Sequence, residues 1–241
     1  MKIVGLQVCG PGETEKYLEK TLKEFERLCD DVIICLNQED EKRDQLIKKY
    51  GYWTYRDDRE WGKFQPQIKT DLLEKIGKLK PDWILPLDAD ETFETGFNRE
   101  ILEGLAKNKH SCYFYIVNLW NDEGRYSKGL SFWNIRFFKY LPSRGTQYLK
   151  RPVHCGLAPP YFYHVGTYVP HLVIHRGLLN PLDRQRKIER YRKYDPEMKH
   201  RGQEFYDGIA ADKQGNTFVE ADLKGKVVDE VSKMIYQKKY E

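Results

Sequence analysis

Asp82-Trp83-Ile84-Leu85-Pro86-Leu87-Asp88-Ala89-Asp90-Glu91 decides how the rest of the chain is to be understood. Its apolar half predicts a short buried strand, and it ends in Asp88, Asp90 and Glu91, where a loop should begin. Carboxylates crowded at a strand end repel one another and need a hard divalent cation, basic side chains or full solvation. If the strand ran on through them, Asp88 and Asp90 would share a face and could hold one ion. If a turn starts there, Asp90 could bind the ion while Asp88 reaches a ribose hydroxyl or a metal-bound water. The plainer alternative is helix capping, with Asp90, Glu91 and Thr92 charge-complementing a helix marked by Phe97, Ile101, Leu102 and Leu105.

Upstream, the pattern alternates. Ile3 to Cys9 predicts a strand ending at Gly10-Pro11-Gly12, and Leu18, Leu22, Phe25 and Cys29 then recur at helical spacing. Asp31 to Leu36 is a second strand ending at Asn37-Gln38-Glu39, followed by a short helix through Leu46, Ile47 and Tyr50. Tyr52 to Tyr55 is a third, Arg56 to Phe64 a polar loop, and Ile68, Leu72, Leu73, Ile76 and Leu79 mark the next helix. Four strands alternating with three helices predict an α/β fold with a mostly parallel, helix-flanked sheet whose ligands sit beyond the strands' carboxyl ends. Gly10, Asn37, Asp57, Asp58, Asp88 and Asp90 would share that rim. Gly10-Pro11-Gly12 matches neither glycine-rich phosphate motif and predicts a tight turn.

Beyond residue 110 longer β-type runs, Cys112 to Leu119 and Phe132 to Tyr140, flank a polar loop Asn121-Asp122-Glu123-Gly124, and this half is expected to be mixed or antiparallel. A proline-rich segment, 151–170, carries His154 and His164, and His171-Leu172-Val173-Ile174-His175 predicts a strand with both histidines on one side. A basic helix follows over 182–194, with an apolar edge of Ile188 and Tyr191, and Val227, Val228, Val231 and Ile235 predict a terminal helix. The expected organisation is one domain over 1–201, with a nucleotide half to about 110 and an acceptor half from 111, and a helical extension over 202–241 packed on it.

Composition agrees with a globular chain: of 241 residues, 32% are charged and 40% hydrophobic. A net charge of +4 is too small to predict nucleic-acid binding and mildly favours an anionic substrate. Five cysteines with no Cys-x-x-Cys pair predict reduced core thiols and a cytoplasmic protein. No signal-like or membrane-length apolar segment is present, so membrane association is expected to be peripheral at most.

The Asp88-Ala89-Asp90 segment, placed after three βα units, resembles the Asp-x-Asp segment of GT-A glycosyltransferases, family 2 in particular. Asn134-Ile135-Arg136-Phe137-Phe138-Lys139 is similar to that family's Arg-Leu-Phe-Arg-type strand, and Arg151-Pro152-Val153-His154 and His175-Arg176-Gly177 with Arg184, Lys187 and Arg190 match its downstream features in order. A second resemblance, of Asp88-Ala89-Asp90-Glu91-Thr92 to the nucleophile motif of haloacid-dehalogenase-type phosphatases, fails on order, because that motif follows the first core strand.

What the first resemblance implies is inverting transfer of a sugar from a nucleotide-diphosphate donor to an acceptor hydroxyl on a glycan, lipid-linked or protein acceptor. Mn²⁺ or Mg²⁺ would bridge the diphosphate to Asp88 and Asp90, with His175 as a third ligand and His154 as runner-up. Gly10, Pro11, Asn37 and Asp58 are the candidate nucleotide contacts. Lys69 stands in for a family arginine, although a solvated helix face explains it equally. Arg184, Lys187 and Arg190, at i, i+3 and i+6, suit the diphosphate or an anionic acceptor, with solvated charge as the default for at least two of them. Asp122, then Glu123, is the candidate general base, and Trp120 a candidate sugar-stacking ring. The competing functions are a nucleotidyltransferase, whose glycine-rich Arg-Lys loop is missing, and a non-catalytic nucleotide- or sugar-binding relative.

Overall fold

The computed structural model describes residues 1–11, 15–153, 155–197, 199, 206, 207, 209 and 231–234; the side chains of 15, 16, 122, 123 and 128 are outside that description. In chain order the elements are β1 (Ile3–Cys9), α1 (Glu15–Leu28), β2 (Asp31–Asn37), α2 (Glu41–Lys48), β3 (Trp53–Asp57), α3 (Trp61–Ile76) and β4 (Trp83–Pro86). They continue with β5 (Glu91–Phe93), α4 (Arg99–Ala106), β6 (Ser111–Trp120), β7 (Asp122–Tyr126), β8 (Phe132–Lys139), α5 (Pro160–His164), β9 (Gly166–His175) and α6 (Pro181–Tyr194). Two compact units share them: Met1–Thr92, Asn98–Tyr113 and Ile135–Thr167 in the first, and Phe93–Phe97, Phe114–Asn134 and Tyr168–Glu241 in the second.

In the first unit the strands lie in the order β3-β2-β1-β4-β8. The first four are parallel, and β8 is antiparallel to β4 through Trp83 opposite Lys139 and Ile84 opposite Phe138. Alternation along β1 sends successive side chains to opposite faces. Val4 and Leu6 join Ile68, Leu72, Leu73 and Ile76 of α3 in one apolar core, which also takes Ile33, Ile84, Ile135 and Phe138. Gly5 faces α1, where a Cβ would fall 2.7 Å from the Phe25 ring, so only glycine lets that helix approach so closely.

Three sequence expectations shift. Helix α3 starts at Trp61, within the expected polar loop, and carries Pro66 inside it. Strand β3 runs two residues further than expected, to Asp57. Helix α4 is capped by Asn98, whose Oδ1 accepts the Ile101 N–H, so Asp90, Glu91 and Thr92 do not cap it.

In the second unit β6, β9 and β5 are neighbours in that order and β7 pairs antiparallel with β6. What reads as a polar loop is the start of β7. Asn121, at φ 65°, sits between Trp120 and Asp122, which pair directly; asparagine tolerates the left-handed conformation. Phe93, Phe97 and Phe114 form an aromatic cluster, with Phe93 and Phe97 stacked at 4.2 Å. On α6 the buried face is Arg184, Ile188 and Tyr191. The expected terminal helix falls outside the described residues except for 231–234, which are helical, with Val231 buried. All five cysteines are free, four of them buried.

Candidate functional site

Asp88 to Glu91 is a closed β-turn. The Glu91 N–H donates to the Asp88 carbonyl at 3.1 Å, and the Asp88 N–H donates back to Glu91 Oε2 at 3.1 Å. The strand therefore does not run through the acids, and the turn alternative is the one that forms. Thr21 of α1, fully buried, directs its hydroxyl at the carbonyls of Ala89 (3.0 Å) and Glu91 (2.8 Å). The Asp88 side chain keeps 46% of its surface exposed, while that of Glu91 keeps 1%. The third acid thus does not join Asp88 and Asp90 at the surface.

Glu91 turns inward to Arg136 of β8, which donates from Nε (2.6 Å) and from a terminal nitrogen (2.5 Å) to its two oxygens. Burial pushes the Glu91 carboxyl up, with Asp88 and Asp90 adding to it and Arg136 opposing. Burial works to lower Arg136, but the attraction of Glu91 outweighs it and the guanidinium stays above its ordinary range. Arginine keeps its proton, and both oxygens of Glu91 are met only by N–H donors, those of Arg136 and the Asp88 backbone. Arg136 also lies 3.9 Å from Asp88 Oδ2. The sequence signal was available: one charge inside Ile135-Arg136-Phe137-Phe138 must find a buried partner.

The other rim candidates follow the parallel strands. Gly10 is buried directly after β1, Pro11 is exposed beside it, and Asp58 is exposed just past β3. Asn37 ends β2 fully buried, and its Nδ2 donates to the carbonyls of Asp57 and Arg59, both at 2.8 Å. Its amide hydrogens are therefore spent on joining β2 to the loop after β3. Arg43 was not anticipated. Buried in α2, it donates to the carbonyls of Cys9, Asn37 and Gln38 and to Asp44, binding the ends of β1 and β2 together. In Glu41-Lys42-Arg43-Asp44 nothing distinguishes it from solvated charge. Lys69 is not solvated: it is 4% exposed, donates to the Gly156 carbonyl at 2.7 Å and lies 5.6 Å from the Trp61 ring centre.

The remaining candidates belong to the second unit. Asn118 donates from Nδ2 to the Leu130 carbonyl at 2.7 Å, which turns Oδ1 toward His175 Nδ1 at 2.5 Å. His175 therefore carries its proton on Nδ1, and the Nε2 lone pair faces the Lys187 ammonium at 3.4 Å. Arg184 departs from the solvated basic stripe: it is 5% exposed, donates to the Leu178 carbonyl, and stacks 4.1 Å above the Trp120 ring. Trp120 is itself 3% exposed with that face occupied, which removes it as a sugar-stacking surface. Asp122 and Glu123 open β7, their side chains outside the described residues, as is His154.

The expected metal ligands thus divide: Asp88 and Asp90 lie in the first unit, His175 in the second. Among the described residues no three His, Cys, Asp or Glu side chains form a metal-binding group. A nucleotide-bound Mg²⁺-type ion does not require one, since one or two carboxylates suffice when phosphates and water complete the shell. Asp88 and Asp90, hard oxygen donors on a fixed and partly exposed turn, fit that chemistry. Nε2 of His175, with Nδ1–H held by an amide, has the tautomer a metal-ligating imidazole needs.

No protein-family model and no curated protein matches the chain. Among solved structures, S. aureus TarS superposes with a TM-score of 0.51 at 13% identity over 88% of this chain. The fold is GT-A-like. This GT-A-like chain spans 42% of the TarS length. A TarS fragment, 1–349, solved in complex with UDP-GlcNAc matches at 12% identity and TM-score 0.49, over 88% of this chain and 71% of that one. A cytidylyltransferase from Leptospira borgpetersenii matches 58% of this chain and 61% of its own at 16% identity and TM-score 0.33. Among the described residues no helix is long and apolar enough to cross a membrane.

Proposed function

We propose that the chain transfers a sugar from a nucleotide-diphosphate donor to an acceptor hydroxyl. The observation that carries this is the address of the Asp88-x-Asp90 turn. It follows β4 on the carboxyl rim of a parallel sheet, where Gly10 and Asn37 also lie, in a GT-A-like fold.

In this scheme the nucleotide lies against Gly10, Pro11, Asn37 and Asp58. With its N–H groups engaged, Asn37 serves through the carbonyl rim it holds in place. Asp88 and Asp90 would hold Mn²⁺ or Mg²⁺; when bound, such an ion would neutralise the negative charge that develops on the leaving group. The acceptor oxygen forms the new bond to the anomeric carbon as its bond to the diphosphate breaks. Asp122, or else Glu123, takes the acceptor's proton, and attack on the anomeric carbon from the side opposite the leaving group in this single displacement makes the reaction inverting.

The test is a panel of UDP-, GDP- and dTDP-sugars with Mn²⁺, scored by release of the nucleoside diphosphate and by thermal shift. At least one donor is expected to raise the unfolding temperature only with the cation present, and Asp90→Asn to abolish that shift. Binding of donor by Asp90→Asn as tight as by the parent would remove the metal site, and silence across the panel would remove the donor class.

A further inference from the structure

We infer that Glu91 and Arg136 are positioning residues that preset the Asp88-x-Asp90 turn for the cation and diphosphate; this rests on the function proposed above. The carboxylate of Glu91 is shared. Its Oε2 accepts both the Asp88 N–H, at 3.1 Å, and Arg136 Nε, at 2.6 Å, while Oε1 takes the second guanidinium nitrogen. Glu91 cannot rotate its side chain without losing the bond from the Asp88 N–H and those from its counter-ion, and at 1% exposure no water replaces them.

The pair therefore fixes the backbone at Asp88 from below, as Thr21 fixes the carbonyls of Ala89 and Glu91 from the side of α1. Arg136 reaches further, to 3.9 Å from Asp88 Oδ2, and so biases the direction in which that carboxylate points. All of these groups belong to the first unit. The two candidate ligands sit at the first and third corners of a turn held closed before anything binds. Holding ligands in place in advance removes the ordering cost from the binding step. Groups of this kind, one bond removed from the metal, typically change its affinity 10- to 100-fold.

Charge alone does not explain the arrangement, because a lysine at 136 would keep the charge but not the two-nitrogen fork that grips both oxygens of Glu91. Removing only one partner would leave a buried charge and threaten folding, so the informative variant is the double Glu91→Met/Arg136→Met, in which both charges go together.

Two readouts separate the outcomes. Amide exchange of the 87–92 segment needs no ligand: in the double variant it should quicken at least tenfold relative to β1 and β2, with the circular dichroism unchanged, and in Arg136→Lys by less. Calorimetric titration of Mn²⁺ with UDP should show affinity 10- to 100-fold weaker in the double variant and intermediate in Arg136→Lys. Unchanged exchange at 87–92 in the double variant would overturn the inference, whatever binds. Quickened exchange with undiminished Mn²⁺–UDP affinity would overturn it as well, leaving a purely structural pair. If the parent protein binds no nucleoside diphosphate of any base, the proposed function fails, and the exchange result alone then decides whether the pair holds the turn.

Discussion

Asn118 Oδ1 lies 2.5 Å from His175 Nδ1, and the orientation of that amide is dictated from its other end, because the Leu130 carbonyl can only accept. An asparagine in an apolar strand thus chooses which nitrogen of a histidine carries the proton. Nitrogen-15 spectra of the histidine side chains should show His175 as the Nδ1–H form at neutral pH. Asn118→Leu should release that preference and, by leaving the Leu130 carbonyl unpaired, destabilise the chain by about 1–3 kcal/mol in urea unfolding. An Nε2–H signal in the parent would contradict the amide assignment.

Arg43 holds the carbonyls of Cys9, Asn37 and Gln38 with a guanidinium that is 1% exposed as a residue. Arg43→Met would strand the carbonyls of Cys9 and Asn37, while Arg56 still reaches the Gln38 carbonyl and Asp44, and should cost about 1–3 kcal/mol, the usual range for buried acceptors left unpaired. Arg43→Lys should recover only part of it, since an ammonium lacks the planar fork that reaches several acceptors. Urea midpoints at constant m-value measure both.

The architecture around these residues was legible because apolar periodicity is a one-dimensional record of burial: β1, β2 and β4 and their intervening helices stand where Ile3, Ile33, Ile84 and their neighbours put them. That the Asp88-x-Asp90 segment leaves the strand as a turn was legible too, as one of two alternatives, since carboxylates after an apolar run mark where a strand ends. What could not be read was which polar groups turn inward. Arg43, Lys69 and Arg184 lie in stretches that look like solvated helix faces, yet each is at most 5% exposed and bonded to a backbone carbonyl. Their long apolar stems let them be buried wherever tertiary structure supplies carbonyl acceptors, and no local pattern encodes that supply.

Thr21 gives the smallest perturbation of the turn. Its hydroxyl spans the carbonyls of Ala89 and Glu91 at zero exposure. Thr21→Val keeps the shape and removes the donor, so a loss of about 1–3 kcal/mol is expected from the unpaired acceptors, with Thr21→Ser close to the parent. Thermal unfolding of the two variants side by side separates the hydroxyl from the packing.

The thiols report on the core. Burial pushes Cys35 and Cys112 up to about 12, and Cys29 is raised as well. Since the thiolate is the reactive form, native protein at pH 8 should leave these cysteines unmodified by a disulfide reagent over minutes, and all five should react once unfolded in guanidinium. Rapid reaction of Cys35 in the folded state would contradict its placement beneath α3.

Asp57 ends β3 with its carboxylate gripped by Arg59, whose hydrogen bonds hold it below the usual range against an opposing desolvation. The folded-state value therefore lies below the unfolded one, near 3.8. A lowered carboxylate contributes stability above the unfolded value and loses it as pH falls through the folded one, because the unfolded chain then binds the proton more readily. Stability should accordingly be level in this contribution from pH 7 to about 5 and fall below about 4. Asp57→Asn should be less stable than the parent at pH 7, with the gap closing as the pH is taken toward 2. Denaturant unfolding of both proteins at pH 7, 4 and 3 measures the gap, and one that stays constant across that range would show that Arg59 does not stabilise the ionised form.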